Sequence, residues 1–201
     1  MVPSIGSANG KEATALKPTQ EIEALAAEIA GAAKTIFCTL FENGERYYYC
    51  TLFTTGEGHA PSVSSWSWEA LEREAARQGE DSKTPIDMIA ELIKWSYADS
   101  PYCCFRDENF DEVKQLFMER PSITDLEADE WEREFTFRLK AMELAMKMLD
   151  DEGVFALNQP RDSVCVLVEV MPPDEVNTNI ALRLNEEESP AMQAWLAEAA
   201  E

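Results

Sequence analysis

The residues that could do chemistry begin with a single histidine. His59 follows the turn-forming segment Gly56-Glu57-Gly58, and no second histidine occurs in the 201 residues. A Ser-His or Cys-His catalytic pair would therefore have to use His59. One imidazole cannot complete a three-histidine metal site, and the sequence has no HExxH motif, no zinc-spaced Cys/His set, no Walker A loop and no GxGxxG. We predict a solvated loop histidine and no catalytic, cofactor-binding or metal-binding residue.

Carboxylates are the other group that could carry chemistry, because the chain holds 39 Asp and Glu against 17 Lys and Arg. The run Asp150-Asp151-Glu152 could bind a hard cation, and a pair of acids could carry out glycosidase chemistry. In so acidic a chain, however, clusters also arise at helix ends and on solvated faces without any catalytic role. A carboxylate-based or metal-dependent hydrolase therefore remains a second alternative, and the chain is not predicted to be an enzyme.

The formal net charge of −22 limits the classes of partner. A field of this sign repels phosphate backbones and anionic lipid, and it attracts cationic surfaces. The charge is also concentrated, since residues 150–201 hold twelve acids and two bases. We therefore expect no nucleic-acid partner and no membrane partner, and we expect a protein partner with a basic surface.

The five cysteines indicate a reducing compartment. Their number is odd and no CxxC pair occurs, and Cys38, Cys50 and Cys165 lie in apolar segments, which favours buried thiols over a disulfide framework. The adjacent Cys103 and Cys104 have only Arg106 nearby to make them reactive. The first 17 residues lack a signal-like apolar stretch, and no segment is expected to reach the roughly 18 apolar residues of a membrane span. These features predict a cytoplasmic protein.

The first half of the chain predicts a helix, a hairpin and a second helix. Residues 1–17 are small and polar, so they are predicted to form a flexible tail, and residues 18–201 a single domain. Apolar residues at helical spacing follow a Thr19 N-cap and stop at Asn43-Gly44. Two antiparallel strands, 47–54 and 62–66, come next, and Ser67 caps a helix that runs to about residue 78.

The second half predicts mainly helices around one late strand. The Thr84-Pro85 pair starts a helix, 97–105 is irregular, and Asp107 opens a short helix. Thr124 and Glu127 fit a capping box before a long helix. Three further features follow: a strand at 163–170 that is apolar on both faces and so expected to be central, a stop at Pro172-Pro173, and a final helix after Ser189-Pro190. The order predicts an α+β fold, with a mixed or antiparallel sheet of few strands flanked by several helices.

Candidate partner-binding residues are aromatic or acidic. Trp131 and Trp195 lie on apolar helical stripes and are predicted to be core residues, whereas Trp66 and Trp68 could anchor a partner or pack inside. The candidate acidic surfaces are Asp107, Glu108, Asp111 and Glu112, then Glu127, Asp129, Glu130 and Glu132, then Glu186, Glu187 and Glu188.

Four sequence stretches together resemble a known family. They are IKWSYADSPYCCFRDENFDEVKQLF at 93–117, RYYYCTLFTT at 46–55, LDDEGVF at 149–155 and IALRLN at 180–185. Their types and order are similar to a bacterial domain-of-unknown-function family, catalogued as number 4303, over roughly residues 20–185. The resemblance implies no catalytic residues. It also implies likeness to immunity proteins, which are encoded beside secreted antibacterial toxins and protect the producer.

The leading hypothesis is an immunity-type protein that occludes the active site of a cognate toxin with an acidic surface. The first alternative is a non-catalytic intracellular adaptor or homo-oligomeric scaffold. In that alternative the final helix would form a homodimer through Met192 and Trp195.

Overall fold

A computed structural model describes residues 20–80 and 82–200. The predicted tail at 1–17 and the predicted Thr19 cap lie outside these residues. The described helices are α1 (Gln20–Phe41), α2 (Trp68–Gly79), α3 (Ile86–Ile93), α4 (Asp111–Met118), α5 (Ala128–Asp151), α6 (Glu175–Leu184) and α7 (Pro190–Glu198). The described strands are β1 (Tyr47–Thr55), β2 (Ser62–Ser67) and β3 (Cys165–Met171).

The three strands form one mixed sheet in the order β2-β1-β3. Strand β1 pairs antiparallel with β2 and parallel with β3, so an early and a late segment meet across the helical middle. The α+β class and the mixed sheet are confirmed. The central position predicted for the late strand is wrong, because β1 is central and β3 lies at the edge.

Two asparagines explain why an edge strand is so apolar. The Asn185 side chain accepts a hydrogen bond from the Val166 amide (2.9 Å) and donates one to the Val166 carbonyl (2.7 Å). Asn177 does the same for Val170, at 2.8 and 3.1 Å. These side-chain amides take the place of a neighbouring strand, because they pair with backbone N–H and C=O groups on the outer edge of β3. Both asparagines belong to the α6 segment, a helix that the sequence analysis missed.

The opposite edge of the sheet is covered by the irregular segment 97–105. The Cys104 amide donates to the Val63 carbonyl (2.9 Å), and the Ser100 hydroxyl donates to the Ser65 carbonyl. The segment lacks regular structure, as predicted, and it is nevertheless anchored on β2. Both sheet edges are therefore covered, which leaves the sheet poorly suited to strand addition by a partner.

The two faces of the sheet are buried in different ways. Helices α1 and α5 cover one face, where aliphatic and phenylalanine side chains such as Phe37, Met142 and Val168 pack. The other face is more aromatic and includes Tyr49 and Trp195. Burial of Trp195 shows that the final helix docks through its apolar side, as its sequence pattern predicts.

Helix α1 contradicts the expectation that no segment is apolar enough to span a membrane. By length and composition, Gln20–Phe41 is apolar enough to cross a bilayer, contrary to the expectation that no segment would be. Half of its most apolar window is nevertheless buried inside the protein, and one such helix is weak evidence for a membrane span. Its Ala-rich and Ile-rich composition serves packing against α5, because small residues let two long helices approach closely.

Some of the predicted helix N-caps are confirmed and others are shifted along the chain. The predicted Ser67 cap of α2 and Ser189 cap of α7 are confirmed. The capping box of α5 pairs Glu127 with Glu130, so the predicted use of Thr124 is wrong by one turn. At α3 the N-cap position is Pro85 and Thr84 precedes it, so the helix starts one residue later than predicted.

Candidate protein-binding surface

The turn between β1 and β2 is held against α5 at close range. Gly58 has φ of +63°, a conformation that L-residues other than glycine rarely adopt. A Cβ at this position would lie 3.1 Å from Phe135, 3.2 Å from Trp131 and 3.3 Å from Arg138. Trp131 is half-exposed and packs against this turn, so the prediction that it is a core residue is not met. The positive φ and the close side chains both disfavour any residue with a Cβ at this position. The contact therefore requires glycine and holds the turn against α5.

Arg138 fastens this arrangement from inside. Its buried guanidinium donates to the carbonyl oxygens of Gly58 (2.7 Å) and Pro121 (2.8 Å), and to the Glu134 carboxylate (2.8 Å). One side chain thus ties together the hairpin turn, the connection before α5 and α5 itself. A buried arginine with all these partners positions its neighbours accurately, because each displaced acceptor would be left unsatisfied.

Glu134 is held between two arginines. Arg120 donates two hydrogen bonds to it, at 2.6 and 2.7 Å, and Arg138 donates a third. Burial alone would raise the pKa of Glu134, but the hydrogen bonds from Arg120 and Arg138 outweigh it and lower that pKa below its ordinary value. Glu134 is therefore a charged structural residue that anchors the start of α5.

The first predicted acidic cluster lies beside the same turn. Asp107 accepts a hydrogen bond from the Ser62 hydroxyl (2.7 Å) at the start of β2. Lys114 bridges Asp107 (2.8 Å) and Asp111 (3.1 Å), so one base serves two acids. Among the described residues, Glu108 and Glu112 have no ion-pair partner, and both are exposed to solvent.

The second predicted cluster lies on the first turn of α5, near the residues that Arg138 holds. Glu130 accepts a hydrogen bond from the Glu127 amide (3.2 Å), and Asp129 pairs with Arg133 at 3.2 Å. Glu132 is exposed, with no ion pair in the part of the chain that the structure describes. These acids also lie at a helix N-terminus, where negative charge is favourable.

Two of the three predicted clusters therefore lie at one end of the molecule. We call the residues 107–134, grouped beside the hairpin turn 56–61, the acidic end. They contain eleven acids and three bases, a net charge of −8. Two exposed apolar side chains lie between the clusters in sequence, Met118 (66% exposed) and Ile123 (43% exposed). The sequence analysis singled out neither of them.

The third cluster lies at the other end. Glu186, Glu187 and Glu188 follow α6, and Glu186 lines an open cleft of about 490 Å³ together with Asp150 and Arg161. This cleft is near the C-terminus of α5, and a helix of 24 residues spans about 36 Å. The third cluster therefore does not share a continuous surface with the acidic end.

The acids at the C-terminus of α5 are directed to separate partners. Asp150 pairs with Arg161 at 2.6 Å, and Glu152 pairs with Lys34 at 2.6 Å. Within residues 20–80 and 82–200, no group of three or more His, Cys, Asp or Glu side chains is arranged to hold a metal ion. The hydrolase alternative gains no geometric support from this cluster.

The two candidate tryptophans differ sharply in exposure. Trp66 is completely buried and donates to the Ser96 carbonyl (2.7 Å), so in this fold it offers no surface to a partner. Trp68 is 39% exposed, stacks on Tyr48 at 4.2 Å between ring centroids, and has the Lys94 ammonium 5.5 Å from its ring. Trp68 follows β2 and so lies at the end of the sheet opposite the hairpin turn.

His59 is exposed in the turn, as expected. Its Nδ1 lies 2.7 Å from the Thr55 hydroxyl and 3.6 Å from Glu57. A buried polar pair escaped the sequence analysis, since Tyr49 donates a short hydrogen bond to Glu169 on β3. Burial and the nearby Glu169 charge raise the pKa of Tyr49 well above its ordinary value. The signal was the single acid within the apolar run CVLVEVM.

The dimer hypothesis required an exposed apolar side on α7. Met192 is completely buried and Trp195 is 2% exposed, so both belong to the core of their own chain. Pairing through these two residues would require α7 to leave its site, which removes the geometric basis for that version of the homodimer.

Fold and surface together define an α+β protein whose most distinctive exposed feature is an acidic end. The sequence model of the family described as Domain of unknown function (DUF4303) matches residues 27–186. This match covers most of the chain, and the chain belongs to that family. Helix α7 lies beyond the matched residues. Comparisons with curated proteins and with solved structures gave no match.

Proposed function

We propose that this chain is a bacterial, cytoplasmic immunity-type protein that binds a cationic toxin and covers its active site with the acidic end. The observation that supports the proposal is the grouping of two acidic clusters, 107–112 and 127–132, beside one rigid turn. A toxin that acts on nucleic acid needs a cationic groove, and an acidic surface competes for that groove.

Charge and apolar contact would have separate roles in the complex. Electrostatic steering raises association rates by roughly 10–10³-fold, whereas each exposed ion pair adds only about 0–1 kcal/mol. Desolvated apolar anchors supply most of the affinity in typical interfaces. Met118 and Ile123 are suited to that role because both are exposed and both lie in sequence between the two acidic clusters.

Rigidity is the second physical requirement. Ordering loops and side chains on binding costs affinity, so a preformed surface binds more tightly than a flexible one. The contacts of Arg138 with Gly58 and Pro121, and of Arg120 with Glu134, fix the backbone beneath the acids before any partner arrives.

Co-expression with the product of the neighbouring reading frame tests the proposal. The wild-type chain is expected to restore growth, and the triple variant Glu108→Lys, Glu112→Lys, Glu132→Lys is expected not to. The matched control reverses three acids at the other end, Glu186→Lys, Glu187→Lys, Glu188→Lys, and should protect as well as the wild type. Equal protection by both triple variants would contradict the role of the acidic end.

A further inference from the structure

Two adjacent thiols lie on the surface near the acidic end. Cys103 is half-buried and Cys104 is exposed, and their Sγ atoms are 3.8 Å apart. The backbone beneath them is fixed, because the Cys104 amide donates to the Val63 carbonyl on β2. Cys104 also has φ of +55°, a strained value for a non-glycine residue. The described cysteines are all free thiols.

The separation of the two sulfurs distinguishes between ways of joining them. A disulfide needs sulfurs about 2.05 Å apart, and neighbouring residues hold their Cα atoms about 3.8 Å apart, closer than the usual disulfide range. A tetrahedral metal centre with metal–sulfur bonds of about 2.3 Å requires sulfurs about 3.8 Å apart. The observed 3.8 Å therefore suits a tetrahedral centre without movement of the loop.

The electrostatic surroundings favour a cation. Asp107 and Glu108 follow Cys104 after two intervening residues, and the acidic end concentrates cations around the thiols. The one nearby base in sequence, Arg106, places its guanidinium 5.8 Å from the Phe105 ring centroid.

We propose that Cys103 and Cys104 chelate one soft divalent cation of tetrahedral preference, with Zn²⁺ as the representative ion. Each thiol releases its proton to solvent as its sulfur binds the metal. Thiolate ligands select soft or borderline ions over Mg²⁺ and Ca²⁺. In residues 20–80 and 82–200 no third acidic, histidine or cysteine ligand completes the set, so solvent fills the remaining positions.

Titration of the reduced, full-length protein with Cd²⁺ tests the site, because cadmium–thiolate bonds absorb in the ultraviolet. We expect one Cd²⁺ per chain, displaceable by Zn²⁺ and not by Mg²⁺. Joining two ligands in one site raises affinity by roughly 10²–10⁴-fold, so Cys103→Ser or Cys104→Ser should each weaken binding about 100-fold. The control variant Cys38→Ser, a half-buried thiol of α1, should bind as the wild type does.

Far-ultraviolet circular dichroism of each variant verifies that folding is unchanged, and the ¹¹³Cd resonance of the wild type should report two sulfur ligands. Unchanged affinity in Cys104→Ser would overturn the proposal. Equal loss in Cys38→Ser would overturn it as well. A reduced protein that gives no cadmium–thiolate absorption would do the same.

Discussion

The two ends of the sheet handle charge in opposite ways. At the opposite end, where β1 begins and β2 ends, two acids each pair with one base: Glu69 with Arg46, and Glu198 with Lys94. At the acidic end, Lys114 serves two acids, and several exposed acids have no base among the described residues. This uncompensated charge is the feature on which the proposed binding of a cationic partner rests.

The support beneath the two ends also differs. The acidic end rests on a buried arginine with three acceptors, whereas each ion pair named at the opposite end has an exposed partner. Breaking a buried ion pair costs much stability, whereas an exposed ion pair contributes little to stability. Stability and binding should therefore respond differently to mutation at the two ends.

The largest effect is expected from Arg138→Met. Loss of the guanidinium leaves Gly58 and Pro121 without their donor, so the free energy of unfolding should fall by about 3–5 kcal/mol. The matched control at the other end is Arg183→Met, whose half-exposed pair with Glu143 should cost less than about 1 kcal/mol. Urea denaturation of both variants measures the difference. Similar losses would show that the two ends are held alike.

Gly58→Ala should have the next largest effect. The added Cβ would be strained at φ of +63° and would press on Trp131, Phe135 and Arg138, so we expect a loss of about 2–3 kcal/mol. Gly44→Ala is the control, because Gly44 has φ of +76° but nothing within 4 Å of its Cβ position. It should lose only about 1 kcal/mol. Thermal unfolding compares the two, and equal shifts would argue against tight packing at the turn.

Lowering the pH should destabilise the folded protein through protonation of Glu134. The pKa of Glu134 is lowered in the folded protein, so its contribution is present above the ordinary carboxylate pKa and is lost as pH falls through the folded value. Glu134→Gln should lose about 1–2 kcal/mol at pH 7 and approach the wild type in acid. Glu69→Gln, at the more exposed pair of the other end, should change this pH profile less. The free energy of unfolding is measured from pH 7 to pH 3 for each protein. Parallel profiles of the wild type and Glu134→Gln would show that Glu134 is unimportant.

The smallest stability effect is expected from the triple charge reversal at Glu108, Glu112 and Glu132. These exposed acids make no ion pair among the described residues, so their replacement by lysine should change stability by no more than about 0.5 kcal/mol each. Chemical denaturation verifies that any lost protection in cells reflects binding and not unfolding. A large loss of stability would instead assign these acids to the fold.

Local patterns in the sequence predict much of the fold, and long-range contacts account for what they miss. The helical stripes, the aromatic strand β1 and the caps at Ser67 and Ser189 depend on neighbouring residues. The edge position of β3 depends on Asn177 and Asn185, and no local pattern shows that an asparagine amide will replace a strand.

The site was predictable to a similar extent. Composition indicates acidic clusters, but their grouping depends on the contact of Arg138 with Gly58, 80 residues apart in the chain. Trp66 and Trp68 look alike in sequence, and the structure separates them because Trp66 lies in β2 and is buried, whereas Trp68 begins α2 and is half-exposed. Exposure of Met118 was likewise invisible, because helical phase alone does not show which face meets another helix.

The salt dependence of binding tests the central claim most directly. With the toxin identified by the protection assay, the dissociation constant is measured by calorimetry from low to high ionic strength for the wild type and both triple variants. We predict that wild-type affinity falls steeply as salt rises, that the Glu108, Glu112, Glu132 variant binds weakly with a flattened dependence, and that the Glu186, Glu187, Glu188 variant follows the wild type. An affinity that is independent of salt and equal in all three proteins would contradict capture by the acidic end.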